Sequence, residues 1–193
     1  MDFAAPVTLE NAFVRLEPLA DDHAGDLAEA AAGLEHAWYT SVPRPEDVPA
    51  EIERRRESHA AGGMNPFAIR RLATGRVVGM TTFCNIDQPD RHVEIGATWI
   101  SRDAQRTEVN PAAKLLLLAH AFDGCDAIAV ELRTHWHNRQ SRAAIERLGA
   151  KQDGVLRNHR IMPDGTLRDT VVYSILPHEW PAVRRGLEVR LSR

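Results

Sequence analysis

Residues 99–122, WISRDAQRTEVNPAAKLLLLAHAF, read as the end of a strand, a polar loop and a sharply marked helix start. Asn110 is a favoured N-cap type, and Pro111 loses nothing at the first helical position, where its missing N–H would have had no intrahelical partner. The spacing therefore predicts a helix beginning at 110–111. Leu115, Leu116, Leu117, Leu118, Ala119 and Phe122 are too apolar a set for a surface helix, so the element is expected to be buried on most sides. A buried helix holds its open end still. The free N–H groups of its first turn and the positive end of its dipole then point at residues 105–110 and favour a phosphate there. On spacing alone, an ordinary capped core helix with a polar entry loop explains the same pattern.

Upstream, residues 13–17 (FVRLE) alternate as a first strand, and a turn leads into a helix capped by Asp21 or Asp22. Its stripe of Leu27, Ala28, Ala31 and Leu34 packs one face on a sheet, and residues 36–39 end it. The proline-rich SVPRPEDVPA is a loop, from which a second helix starts near Glu46 or Pro49 and stops at Gly62 and Gly63. That helix is charged nearly all round, with Val48 and Ile52 its few apolar anchors, and reads as a solvated face, with a substrate rim the functional alternative. Residues 65–71 and 77–83 form a hairpin around the turn 73–76, and a strand at 92–100 completes a meander ending at the loop.

Downstream, residues 127–132 alternate as a fifth strand, and THWHNRQSRAAIERLGA supplies a fourth helix ending at Gly149. The strand, helix, strand crossover implies parallel pairing of the fourth and fifth strands. Residues 152–161 and 166–176 are two more strands joined at Pro163, Asp164 and Gly165, and PHEWPAVRRGLEVRLSR is a last helix with Trp180 and Leu187 packing back. The order is βααβββαβαββ, an α+β chain (α/β by some schemes).

The 193 residues suffice for one domain with its own core. A net charge of −3 and a pI near 6.3 give no basic field for nucleic acid. The opening MDFAAPVTLENAF has no basic segment followed by an apolar core, and no apolar run approaches a membrane span, so a soluble, cytoplasmic protein with no membrane partner is expected. Cys84 and Cys125 lie in no metal or redox spacing and are expected to be free, buried thiols.

The loop resembles the acyl-CoA pyrophosphate loop of the GNAT N-acetyltransferase superfamily, Q/R-x-x-G-x-G/A, with Gln105 in first place. VNPAAKLLLLAHAF, NRQSRAAIERLGA, the closing hairpin GVLRNHRIMPDGTLRDTVVYSI and the EW-P after it resemble the ribosomal-protein N-acetyltransferase (RimJ/RimL-like) branch. Two residues depart from the pattern: Glu108 stands where the first glycine is usual, and Asn110 where the second glycine or alanine is usual. A carboxylate at 108 must turn away from a diphosphate, and a positive φ there would be awkward without glycine. The resemblance covers residues 8–182 as a single GNAT domain, with 183–193 a helical tail. It implies the GNAT fold, a mixed, mostly antiparallel central sheet of about seven strands flanked by helices. It also implies acetyl-CoA as co-substrate, held by Trp99, Ile100, Gln105, Arg106, Thr107, Glu108, Val109, Asn110, Asn138 and Ser141.

Acetyl transfer from a thioester to an amine needs a base, an oxyanion donor and an acid for the departing thiolate. Glu94 lies on the strand at 92–100, on the face of Gly96 and Thr98 if that strand is regular. The resemblance makes it a base acting through water; a structural carboxylate bonded to a neighbouring strand or arginine is the other reading. The same resemblance implies that the oxyanion role falls to backbone N–H groups near Trp99 and Ile100. The tyrosine acid common in the superfamily would stand seven residues after Asn138, where this chain has Ile145. In the resembled branch the acid is the serine three residues on, here Ser141, while Asn138 orients the pantetheine; both residues are also good helix caps, and the two readings are compatible.

His135, Trp136 and His137 form an H-x-H pattern with no third ligand at useful spacing, so no metal is expected and acceptor-groove lining is preferred. By the same resemblance Trp38, Tyr39 and Arg44 border the acceptor, as does the hairpin carrying Arg157, His159, Arg160, Arg168 and Asp169. The implied activity is acetyl-CoA-dependent N-acetyl transfer by direct attack of a primary amine, either a protein N-terminal α-amine or a small-molecule amine. A non-catalytic acyl-CoA binding module is the rival. Exposed strand edges are compatible with a homodimer.

Overall fold

The computed structural model describes residues 2–34, 38–40 and 42–192; residues 36 and 37 of the expected helix end lie outside them. The strands are β1 (Leu9–Glu10), β2 (Val14–Pro18), β3 (Met64–Arg71), β4 (Arg76–Asp87), β5 (His92–Ile100), β6 (Ala129–His135), β7 (Lys151–Ile161) and β8 (Leu167–Ile175). The helices are α1 (Ala24–Ala31), α2 (Val48–Ala60), α3 (Val109–Ala119), α4 (Arg139–Glu146) and α5 (Trp180–Leu191). One sheet runs β1-β2-β3-β4-β5-β6-β8-β7 and is antiparallel throughout except between β5 and β6. The parallel pair is the crossover through α3 that the chain order implied.

Side-chain alternation sorts the sheet into two faces. Phe67 and Ile69 of β3 join Phe83, Leu117, Leu118, Val183 and Leu187 in the larger core, on the side covered by α3 and α5. Ala68 joins Val77, Met80 and Trp99 against Leu27 and Ala31 of α1 and Val48 and Ile52 of α2. Each large apolar side chain so enclosed contributes about 1.5–3 kcal/mol, and the two layers fix the sheet from both sides. Ahead of β1, Phe3 is fully buried edge-on to Phe83 at 6.3 Å. Among the described residues no helix is long and apolar enough to cross a membrane.

Several expectations need correction. The sheet has eight strands rather than about seven, because Leu9 and Glu10 pair with Leu16 and Arg15; two residues are too few for alternation to register. Neither Asp21 nor Asp22 caps the first helix: a 3-10 turn at Asp21–His23 precedes it, and the Ala20 N–H donates to Nδ1 of His23 at 3.1 Å. The fifth large strand, β6, starts two residues late because Asp126 takes a left-handed conformation (φ 56°) and Ala127 and Ile128 bond outside the ladder, to Ala121 and Arg91. Both cysteines are free, but Cys84 is only half-buried.

The central helix starts at Val109, one turn position earlier than predicted, with Glu108 rather than Asn110 at the cap and no side-chain cap bond. It is buried along Val109, Pro111, Ala112, Ala113, Lys114, Leu117 and Leu118. The fourth helix ends at Glu146, and Gly149 beyond it has φ +97°.

Candidate active site

The loop ahead of α3 is tied down from within. Gln105 donates from Nε2 to the Ile100 carbonyl (3.1 Å), Thr107 Oγ1 donates to the Ala104 carbonyl (2.7 Å), and the Val109 N–H donates back to Thr107 Oγ1 (3.3 Å). Arg106 takes φ 63°, the left-handed conformation found in backbone nests that bind anions. Gln105, Arg106, Thr107 and Asn110, with Trp99, Ile100, Asn138 and Ser141, line a cleft of about 460 Å³. Val109 points into the core instead. Glu108 is absent from the lining: Nε and Nη2 of Arg71 donate to its Oε1 at 3.0 and 2.8 Å. Glu108 has φ −65°, so glycine is not required there. Bonding to its own backbone N–H and to Arg71 holds its carboxyl below the usual range.

The strand β5 is irregular where the chemistry is expected. Its pairing with β4 shifts between Met80–Trp99 and Thr82–Gly96, so β5 carries an extra residue, and Ala97 adopts φ 46°. Its parallel pairing with β6 ends at Glu94–Glu131, which leaves the β6-facing edge of residues 95–100 free. Asn138 caps α4, its Oδ1 accepting the Ser141 N–H at 3.0 Å, so its Nδ2 is left for another partner. Ser141 and Asn138 line both the first cleft and a second one of about 500 Å³, and Ala97 and Thr98 are likewise shared by the two. Ile145 also faces the second cleft and has no proton to offer.

Glu94 stands in the wall of the second cleft. A side chain at Gly96 would come within 2.6 Å of its Oε1, so that glycine makes the room its carboxylate occupies. Asn85 Nδ2 donates to Oε2 at 2.6 Å, and Arg133 Nε lies 3.6 Å away. Burial raises the Glu94 carboxyl above its usual range, with Arg133 and Asn85 opposing. Both readings of Glu94 thus have a geometric counterpart: it is bonded to neighbours, and it faces a cleft with an elevated proton affinity.

Two buried cations in this cleft escape a reading of the sequence. Arg55 of α2 is 2% exposed, donating to Thr82 Oγ1 and Glu51 Oε1, both at 2.6 Å. The solvated-face reading of this helix is corrected at Arg55, which follows Val48 and Ile52 at helical spacing on the buried side; with Arg54 it lines the cleft, as the substrate-rim alternative requires. Lys114 of α3 is 6% exposed and donates from Nζ to Thr98 Oγ1 at 3.1 Å. Burial brings its pKa down to about 8, while nearby Cys84 and Glu94 oppose the fall. Burial likewise pushes the Cys84 thiol up to about 12. Lys114 interrupts the run AAKLLLLA, a visible anomaly in an otherwise apolar helix.

Tyr39 lines both clefts, and its ring, that of Trp38 and those of His135 and His137 cluster with centroids 5.0–6.1 Å apart. Arg44 is exposed and lines neither cleft. Of the hairpin residues, His159, Arg160 and Arg168 reach the second cleft, whereas Arg157 and Asp169 pair with each other at 2.6 Å.

The acetyltransferase (GNAT) domain model matches residues 14–151, and the chain belongs to that family. The Bacillus subtilis (strain 168) protein YdaF, named as a candidate ribosomal N-acetyltransferase, is 33% identical over 109 residues, which span 56% of this chain and 58% of that protein. A candidate acetyltransferase from T. thermophilus superposes with a TM-score of 0.85 at 34% identity, covering 97% of this chain and 98% of that one. A GCN5-related N-acetyltransferase from Brucella melitensis gives a TM-score of 0.86 at 28% identity, covering 97% and 86%.

Proposed function

We propose that this chain transfers an acetyl group from acetyl-CoA to a primary amine by direct attack, with no covalent enzyme intermediate. The observation that carries the reading is the meeting of two clefts at Ala97, Thr98, Asn138 and Ser141. The first cleft offers the loop at 105–110 to a diphosphate and the free edge of β5 to a pantetheine arm. The second offers an amine its approach past Glu94. Glu94, acting through water, removes the amine proton; the nitrogen then bonds to the thioester carbon, and backbone N–H groups of β5 near Trp99 and Ile100 stabilise the oxyanion. The C–S bond breaks as the Ser141 hydroxyl protonates the leaving sulfur, and the second proton shed by the attacking nitrogen as the amide forms returns the serine to its hydroxyl. Asn138 holds the pantetheine amide while capping α4. The ribosomal acceptor in the name of the B. subtilis relative represents one acceptor class, a protein N-terminal amine; small-molecule amines are the other.

Calorimetric titration with acetyl-CoA tests the cofactor, and turnover of an amine panel tests the chemistry. Wild-type protein should bind in the micromolar range. Asn138→Ser, which keeps a cap, should bind several-fold more weakly. Ser141→Ala should bind normally and turn over roughly a hundredfold more slowly. No binding by the wild type would sink the reading, and binding with no transfer to any amine would favour a non-catalytic acyl-CoA module.

A further inference from the structure

The acceptor cleft is strongly cationic although the chain is not. Its lining carries six Lys and Arg side chains and one carboxylate, Glu94, whereas the whole chain has a net charge of −3. Some of that charge is answered from behind: Glu51 holds Arg54 and Arg55, and Glu131 holds Arg133. Lys114, Arg160 and Arg168 form no ion pair among the described residues. Their bonded partners are hydroxyls where they have any, Thr98 for Lys114 and Thr170 for Arg168.

Arg160 and Arg168 bring two like charges together at the cleft, with Glu94 the carboxylate that answers them. The two stand directly opposite each other in the β7–β8 register, where like charges repel. Burial lowers the Arg168 pKa and Arg160 lowers it further, with Glu94 opposing. Beside them His135 is 2% exposed. Its Nδ1 accepts the His137 N–H at 3.1 Å, so in the neutral ring the proton sits on Nε2. That Nε2 is buried and has no partner, a donor without an acceptor in the cleft wall. Two unpaired guanidinium groups and an unanswered N–H converge on the same requirement, an anion with several acceptor oxygens.

We infer that the acceptor is a small primary amine bearing a carboxylate or phosphate group, with Arg160, Arg168 and His135 receiving the anion while the amine reaches Glu94. This rests on the acetyltransferase reading and narrows it. A cationic N-terminal peptide segment would meet repulsion in this cleft, whereas an anionic amine relieves it.

Two measurements test the assignment. With CoA saturating the first cleft, inorganic phosphate and succinate are titrated calorimetrically into wild type and into Arg160→Gln/Arg168→Gln. At least one anion should bind wild type, and the double variant should lose roughly ten- to a hundredfold in affinity while its affinity for CoA stays unchanged, which also certifies its fold. The preferred anion reports whether a phosphate or a carboxylate is the natural group. Acetyl transfer is then compared between phosphoethanolamine and ethanolamine, and between α-amino acids and their amides. The anionic member should be favoured at least about tenfold in kcat/KM through a lower KM, and the double variant should erase the preference. Equal anion binding by both proteins, or equal or better turnover of neutral amines or ribosomal N-terminal peptides, would overturn the inference and leave acetyl transfer standing. Failure of wild type to bind CoA at all would overturn both.

Discussion

The two clefts that meet at the β5 bulge are built from different materials. The one beside α3 is walled by a loop, a helix start and a strand edge, so much of what it presents is backbone N–H and C=O. The one beside the β7–β8 hairpin is walled by residues drawn from α2, β3, β4, β5, α3, β6, α4, β7 and β8. A backbone site needs only that the chain turn in a particular way, and it tolerates unusual residues provided they point elsewhere. A side-chain site depends on identity at every position. The first arrangement suits a ligand common to many relatives, and the second suits one that distinguishes them.

The sharpest way to break this comparison is at Glu94, the one carboxylate of the side-chain cleft. Glu94→Gln should reduce kcat/KM roughly 10²–10⁴-fold with acetyl-CoA affinity unchanged. Because burial raises the carboxyl, wild-type kcat/KM should climb with pH through an inflection above the usual carboxylate range, and that limb should vanish in the variant. Steady-state rates across pH decide it. An unchanged profile would make Glu94 a structural partner of Asn85 and Arg133 and nothing more.

A smaller effect should come from Lys114, which belongs to the backbone cleft's helix but faces the side-chain cleft. Its pKa near 8 lies below that of an unfolded lysine, so between about pH 8 and 10.4 the unfolded chain binds the additional proton. Stability should therefore rise with pH across that window, by about 3 kcal/mol at most, and the contribution should be absent below it. Lys151 is the chain's one other lysine, and the Cys84 thiol, pushed up to about 12, and the raised Cys125 thiol lower stability toward the upper end of the same window, so the Lys114 contribution is the difference between wild type and Lys114→Met. Denaturant midpoints from pH 7 to 10 should climb more steeply, or fall less, in wild type than in Lys114→Met, with the variant no less stable at pH 7. Parallel curves would mean that Lys114 is better solvated than its 6% exposure implies.

The same contrast explains which parts of the molecule could be read in advance. Strand β5 and the hairpin after Gly149 were legible because period-two alternation and turn chemistry are local properties. Asn138 and Ser141 were legible because one helix start puts them three residues apart. Arg55 was misjudged because its helix is charged on most sides: it continues the Val48 and Ile52 stripe, but the hydroxyl that receives it, Thr82, lies 27 residues away. The pairing of Arg160 with Arg168 depends on a register that bulges twice along the hairpin, which no local pattern specifies. The start of α3 was misplaced because Thr107, rather than Asn110, supplies the oxygen at the helix entrance.

The mildest predicted change addresses how a carboxylate is tolerated inside a loop suited to phosphate. Glu108 stays harmless because Arg71, from the β3 end, holds its oxygen and because its backbone is helical rather than left-handed. Removing the arginine leaves a free negative charge near the helix start. Partial exposure of both partners, 23% and 30% for the side chains, means the pair itself adds little stability. The effect should therefore fall on the ligand: Arg71→Ala should weaken acetyl-CoA binding by roughly three- to tenfold, more at low salt than at high, with little change in melting temperature. Adding Glu108→Gln should restore most of the affinity, because the repelling charge goes with it. If Arg71→Ala binds acetyl-CoA as wild type does, or if the second substitution restores nothing, the diphosphate lies beyond reach of residue 108. The backbone cleft would then owe its tolerance to distance and not to this ion pair.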